Sequence, residues 1–185
     1  MYNQKDKKQR TESVSDHVWG CCMMAQMFLP DNVHDSELID IDECSPESNY
    51  NKQKVISLLL VHDLPESITG DIPSPDKTRQ DDIDEQNAIA KIGTLSAFPS
   101  LSPMRSVIQL LQEYSSINRN DSINVRLAHD IDTLEPLVQL YLYRRSLAKP
   151  NDYVVVQEWL STLKVSTKFG ANLLKLIETH LFVSD

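Results

Sequence analysis

The sequence predicts an all-α protein built as a single domain. Three observations carry that expectation: there are only four glycines in 185 residues, strict polar–apolar alternation is scarce, and apolar residues recur at three- and four-residue steps along most of the chain. A chain of this length can bury a proper core, and its 41% hydrophobic and 24% charged residues suit an ordinary soluble globular protein.

The first helix starts at Ser13, with Val14, Val18, Cys21 or Cys22, Ala25 and Phe28 on one stripe. Ser13 and Asp16 form an N-cap signal, and Pro30 stops the helix. Residues 31–51 differ in character. They hold Asp31, Asp35, Glu37, Asp40, Asp42, Glu43 and Glu47 without a lysine or arginine, which predicts a long solvated acidic loop. Helix returns over Lys52–Asp63, where the centre VISLLLV is apolar nearly all round and predicts the buried helix of the domain. Leu64–Pro65 ends it, because a proline disfavours helical geometry in the residue before it. Pro65 then opens a short helical turn, PESIT, closed by Gly70.

A further helix is expected over Asp81–Ala97, with Ile83, Ala88, Ile89 and Ile92 inward. Pro99 and Pro103 bracket a turn, and a helix follows through Tyr114. Asp121 or Ser122 caps a long helix to about Leu147, with Leu127, Ile131, Leu134, Val138 and Tyr141 as its inner stripe and a kink at Pro136. Pro150 ends that helix. One or two helices over 152–164 and 167–182 complete the chain, although VVV at 154–156 has local strand character.

Charge narrows the function. With 27 acidic against 18 basic side chains the net charge is −9, which argues against a binder of nucleic-acid polymers or anionic membranes. A small phosphorylated substrate stays open, since one local cation can hold a phosphate. No apolar run reaches the roughly 18 residues of a membrane span, and MYNQKDKKQR has no apolar region behind it to make a signal peptide. Cys21, Cys22 and Cys44 form neither a disulfide framework nor a zinc spacing. The expected compartment is the cytoplasm.

The chemistry-bearing residues centre on histidine. Of the five histidines, His34, His62 and His129 are each followed by aspartate, where composition alone predicts about half of one such dipeptide. His34–Asp35 lies in the acidic loop and reads as solvated. His62–Asp63 lies at the end of the most apolar helix, where an ionised carboxylate is costly unless a cation, hydrogen bonds or a metal compensate it. Glu66 follows three residues after Asp63, and Asp71 lies just past Gly70, so four oxygen or nitrogen donors fall within ten residues. A divalent ion draws ligands from more than one segment, usually imidazole with carboxylate. His17 borders the apolar stripe of its helix and is a candidate. Asp130 and Asp132 flank the core residue Ile131, either can turn inward, and spacing does not decide between them.

Three ordered blocks, ESVSDH (12–17), LLLVHDLPESITGDI (58–72) and HDIDTLE (129–135), resemble the HD-domain phosphohydrolases, in the branch of the 5′-deoxynucleotidases, over roughly residues 10–145. The resemblance implies one all-helical HD domain over 1–185, with its core at about 10–147, the acidic insertion at 31–51 and C-terminal helices over 150–185. It also implies one divalent metal ion (Mn²⁺, Co²⁺, Mg²⁺ or Zn²⁺) on His17, His62, Asp63 and Asp132, with Glu66 beside the attacking water and Asp71 near the leaving ribose oxygen. The implied reaction is hydrolysis of (deoxy)nucleoside 5′-monophosphates to nucleoside and phosphate, by a cytoplasmic homodimer. Other HD phosphohydrolases, acting on a different phosphomonoester or a nucleoside triphosphate, are the alternative, as is a binding or scaffold protein that kept the fold without turnover. The sequence departs from the family pattern in its upstream cation, where only Arg10 precedes the first block closely, and in Pro65 and Thr133. His129 is expected to be structural or to support a ligand from behind, Tyr114 to be a packing residue, and Trp19 and Trp159 to lie in the core or a dimer interface.

Overall fold

The computed structural model describes residues 13–31, 50–72, 76–95, 102–115, 122–143 and 159–182. In chain order the helices are α1 (Val14–Phe28), α2 (Lys52–Val61), α3 (Glu66–Thr69), α4 (Arg79–Leu95), α5 (Ser102–Tyr114), α6 (Ile123–Tyr143) and α7 (Lys168–Phe182), with a helical turn at 159–162. No strand occurs among the described residues. The all-α expectation holds.

Helix α1 begins at a capping box. The Asp16 amide donates to Ser13 Oγ at 3.3 Å, and the Ser13 amide donates to Asp16 Oδ2 at 3.0 Å, so two amides at the helix start are satisfied reciprocally. Asn51 caps α2 by accepting from the Lys54 amide at 3.0 Å, and its own amide donates to Asn124 Oδ1 of α6. These caps fix where both helices start relative to α6.

The core gathers on α6. Leu127, Ala128, Ile131, Leu134 and Leu137 are fully buried there, against Cys21, Met24 and Ala25 of α1 and Val55, Leu58 and Leu59 of α2. Helix α7 closes the far side with Phe169, Leu173 and Ile177. Each residue set repeats at three- or four-residue steps, which is what a helix needs to turn one face inward. Helices α3, α4 and α5 form a second tier that joins this core through the α2–α5 contact.

Several boundaries and faces differ from the sequence reading. Helix α2 stops at Val61, two residues before Asp63, because the chain tightens there into successive three-residue turns: Leu64 N–H to Val61 O, Glu66 N–H to Asp63 O and Ser67 N–H to Leu64 O. It is also not buried all round, since Leu60 is 64% exposed on its outer side. Ile83 points outward at 45% exposure, while Ala88 and Ile89 are buried as expected. Trp19 is 64% exposed and lies outside the core, whereas Trp159 packs against it. Helix α6 includes Pro136 and is described to Tyr143, and its expected end near Leu147 lies outside the described residues. Most of the acidic loop (32–49) and VVV (154–156) lie outside the described residues, as does the side chain of Tyr141. The loop's two ends are drawn together by Tyr50 Oη donating to Pro30 O at 2.6 Å and by the Lys52–Asp31 pair at 3.0 Å.

Candidate metal centre

Three elements of the core deliver polar side chains to one point. His17 comes from the first turn of α1, His62 and Asp63 from the turn that ends α2, and Asp132 from the middle of α6. His17 Nε2 lies 3.1 Å from Asp132 Oδ1 and 3.9 Å from Asp63 Oδ2. His62 Nε2 lies 3.0 Å from Asp63 Oδ1 and 3.4 Å from Asp132 Oδ1. All four residues expected to bind metal therefore meet.

The outward atoms of these side chains are occupied by protein groups. His17 Nδ1 pairs with Glu135 Oε2 at 2.8 Å, His62 Nδ1 with the Leu59 carbonyl at 2.6 Å, and Tyr114 Oη donates to Asp132 Oδ2 at 2.6 Å. Each bond fixes a ring or carboxylate orientation and leaves the opposite atom facing the centre. His62 tests whether the site suits a metal. Its side chain is 2% exposed, and its Nε2, though near two carboxylates, is aligned for a hydrogen bond with neither. In its neutral form, with Nδ1 donating to Leu59, the ring turns an Nε2 lone pair toward two carboxylates. That arrangement is costly alone and favourable around a shared cation.

The electrostatics are those of crowded, buried acids. Burial opposes charge on His17, but its bonds to Asp132, Cys21 and Glu135 outweigh that and hold its pKa well above the usual histidine range. Burial likewise opposes charge on His62, and Asp132 and Asp63 more than offset it. Burial would raise Asp132, yet His17, His62 and Tyr114 hold it well below the usual carboxylate range. Asp63 moves up through burial, with Asp132 and Asp71 adding to the shift and the histidines opposing it. Burial and then the charges of Asp63, Asp71 and Glu85 push Glu66 up to about 7, while Lys77 opposes them. Asp71 stands exposed on the lip beyond Gly70, whose φ of +83° only glycine adopts without strain.

The ambiguity at Asp130 and Asp132 resolves by reach. Asp130 is 2% exposed and faces α7, where it accepts from the amides of Ser166 and Thr167 at 2.7 and 2.8 Å and from both hydroxyls. Asp132 alone of the two reaches the centre. Sequence reasoning missed Glu135, although it lies in the last block one turn beyond Asp132, and it read Tyr114 as packing only. Tyr114 does pack, with its ring centroid 4.0 Å from that of His129, and its carbonyl pairs with His129 Nε2 at 3.0 Å. Burial and the charge of Asp132 hold its phenol far above the ordinary range, so it stays a donor.

Cys21 was missed as well. Its Sγ belongs, with His17, His62 and Asp132, to a set of ligand atoms within 4.8 Å of one another. It lies 3.9 and 3.6 Å from Nδ1 and Nε2 of the His17 ring. Burial pushes the thiol up to about 12, so it stays neutral. Asp63, a carboxylate 3.0 Å from His62 Nε2, is the better fourth donor on that count.

Comparison with known proteins places this geometry. The HD-domain family model matches residues 3–172. The chain is 31% identical to the 5′-deoxynucleotidase HDDC2 of Dictyostelium discoideum, over 92% of this chain and 82% of that protein. It is 27% identical to the 5′-deoxynucleotidase HDDC2 of Danio rerio, over 75% of this chain but 59% of that longer protein. A crystal structure from Magnetospirillum magnetotacticum, described as a predicted metal-dependent phosphohydrolase, shares the fold with a TM-score of 0.60 and 23% identity, over 94% of this chain and 79% of that one. With His62 and Asp63 as the pair at the centre of the cluster, and the family match running through every element that supplies it, the chain belongs to the HD-domain family.

Proposed function

We propose that the chain is a metal-dependent phosphohydrolase that cleaves (deoxy)nucleoside 5′-monophosphates to nucleoside and phosphate, using one divalent ion held by His17, His62, Asp63 and Asp132. The observation that carries the reading is the buried, unpartnered Nε2 of His62, facing two carboxylates and the ring of His17. The names of the relatives from Dictyostelium discoideum and Danio rerio support the substrate class. Mn²⁺, Co²⁺, Mg²⁺ and Zn²⁺ are the candidates, the imidazoles favouring zinc-like ions and the carboxylates admitting Mg²⁺ and Mn²⁺. Such an ion supplies Lewis acidity toward the phosphoryl group and the attacking water.

The chain's own residues do the rest. Glu66, three residues after Asp63 and raised to about 7 by burial and then by its acidic neighbours, orients the water and takes its proton. Asp71, on the lip, meets the leaving 5′-oxygen and returns a proton to it. Tyr114 and Glu135 keep Asp132 and His17 in place during turnover. The protein acts as a homodimer in the cytoplasm. Trp19, Met23 and Met27, spaced four residues apart and 64%, 37% and 68% exposed, give α1 an outer apolar stripe suited to a second copy, and the free Cys21 and Cys22 suit a reducing compartment.

The test joins metal content to phosphate release. The protein is purified without chelator, its metal quantified, and a panel of deoxy- and ribonucleoside 5′-monophosphates assayed with Mn²⁺ or Co²⁺, with Asp63→Ala as control. Orthophosphate released by the wild type and absent in the control is the expected result. Triphosphate released from nucleoside triphosphates would transfer the reading to a different HD phosphohydrolase. Bound metal without release of any phosphate would leave a binding protein.

A further inference from the structure

Glycine is a weak choice in the middle of a helix, where alanine forms helix better, and Gly20 sits midway along α1 with ordinary helical backbone. Its reason is close approach. The carboxylate of Glu135, from α6, lies against the bare Cα of residue 20: a Cβ there would sit 2.8 Å from Glu135 Cδ and 3.1 Å from Cγ, and closer still to Oε1. That carboxylate is 2% exposed and is the one bonded to His17 Nδ1 at 2.8 Å. Its other oxygen accepts from Gln139 Nε2 at 2.8 Å. Gly20 and His17 are one helical turn apart on the same side of α1, so a single carboxylate spans both.

We infer that Gly20 and Glu135 form a seat that orients His17, with residue 20 lacking a side chain so that the buried carboxylate can hold Nδ1 and turn Nε2 to the metal. The inference rests on the reading of His17 as a metal ligand. Glu135 touches neither metal nor substrate and is a positioning residue. Gly20 acts one step further back, through Glu135. A carboxylate bonded to the far nitrogen of a ligating imidazole fixes its tautomer and raises its basicity, and loss of such a partner typically costs 10- to 100-fold in metal affinity. An alanine at 20 must push the carboxylate off His17. It does so only while the side chain at 135 is long enough to be in the way.

A mutant cycle on the full chain, read by Co²⁺ affinity and by the visible absorption of bound Co²⁺, tests this. Gly20→Ala and Glu135→Ala are each expected to weaken Co²⁺ binding about 10- to 100-fold and alter the spectrum, and Glu135→Gln, which can still accept from Nδ1, to recover part of the affinity. In the Glu135→Ala background, Gly20→Ala is expected to cost less than about threefold, because the obstructing carboxylate is gone. An equal loss in both backgrounds, or wild-type affinity and spectrum in either single variant, would overturn the seat. Glu135→Asp, shorter by one methylene, keeps the test open if Glu135→Ala does not fold: Gly20→Ala should then cost less in the Glu135→Asp background than in the wild type. His17→Ala separates the underlying reading, for if it binds Co²⁺ as the wild type does, His17 is not a ligand at all.

Discussion

Asp63 and Glu66 stand three residues apart, between the end of α2 and the start of α3, and their surroundings give them different work. Asp63 faces both histidines of the centre, whereas Glu66 sits beside it at the start of α3, half-buried among other acids. Asp63→Ala is therefore expected to remove bound metal and phosphate release together. Glu66→Gln should keep the metal and lower kcat about 10²- to 10⁴-fold. Metal analysis alongside a phosphate-release assay separates the two, and an unchanged rate in Glu66→Gln would remove Glu66 from the mechanism. The same residue carries a pH signature in the metal-free protein. Its carboxyl rises from 4.5 to about 7 on folding, so the folded state binds the proton more tightly than the unfolded state. The native state then loses stability as pH climbs from about 4.5 to about 7, since deprotonation is easier once the chain unfolds. Glu66→Gln lacks this slope. Chelator-treated wild type and variant, unfolded in urea at several pH values, should show a stability difference in favour of the variant that grows across that window.

At the scale of the element, α6 does two jobs with two aspartates two residues apart. Asp132 serves the centre, and Asp130 ties down the start of α7 by accepting from two amides and two hydroxyls. Gly170 leaves room for it, since a Cβ there would lie 2.7 Å from Asp130 Cγ. Asp130→Ala leaves these donors, two of them from the buried Thr167, without their acceptor and should destabilise the fold by roughly 2–4 kcal/mol in urea unfolding while Co²⁺ affinity, measured on the folded protein, stays as in the wild type. A loss of affinity with stability intact would mean that Asp130 serves the centre after all. This pair also shows what the sequence made legible. Helix existence was readable because a 3.6-residue period repeats in Leu127, Ile131 and Leu134, and capping chemistry announced α1 at Ser13 and Asp16. Periodicity did not choose between Asp130 and Asp132, because their partners lie just before α7 and on α1 and tertiary placement has no local signal; the HDIDTLE block chose Asp132. Leu60 and Ile83 misled for a related reason. Apolar residues are common on protein surfaces, and a run such as VISLLLV fits a half-exposed helix as well as a buried one. The four ligand positions came from the ordered blocks, whereas the groups behind them, Glu135, Gln139 and Tyr114, became visible only when the helices were packed.

For the molecule as a whole, the centre is a fastening point between elements that are far apart in sequence. Residues 17, 62–63 and 132 come from α1, the end of α2 and α6, the three helices that share the core. Without a metal ion, Asp63 and Asp132 are bridged at that junction by His17 and His62, in a chain already carrying a net charge of −9. Unfolding scatters the ligands and abolishes the site, so an ion bound only by the folded state adds its binding free energy to folding. At a free concentration one hundred times Kd that linkage is worth about 2.7 kcal/mol, and for a domain of this size each kcal/mol moves Tm by about 2–4 °C. Thermal melts should therefore rise by roughly 5–11 °C between chelator and saturating Mn²⁺ or Co²⁺, with the increment growing as the logarithm of free metal. Asp63→Ala should melt at one temperature under both conditions. The size of the metal-dependent rise then reports affinity independently of any substrate. A wild type whose Tm ignores every divalent ion would show that the cluster joins the three helices through its hydrogen bonds alone.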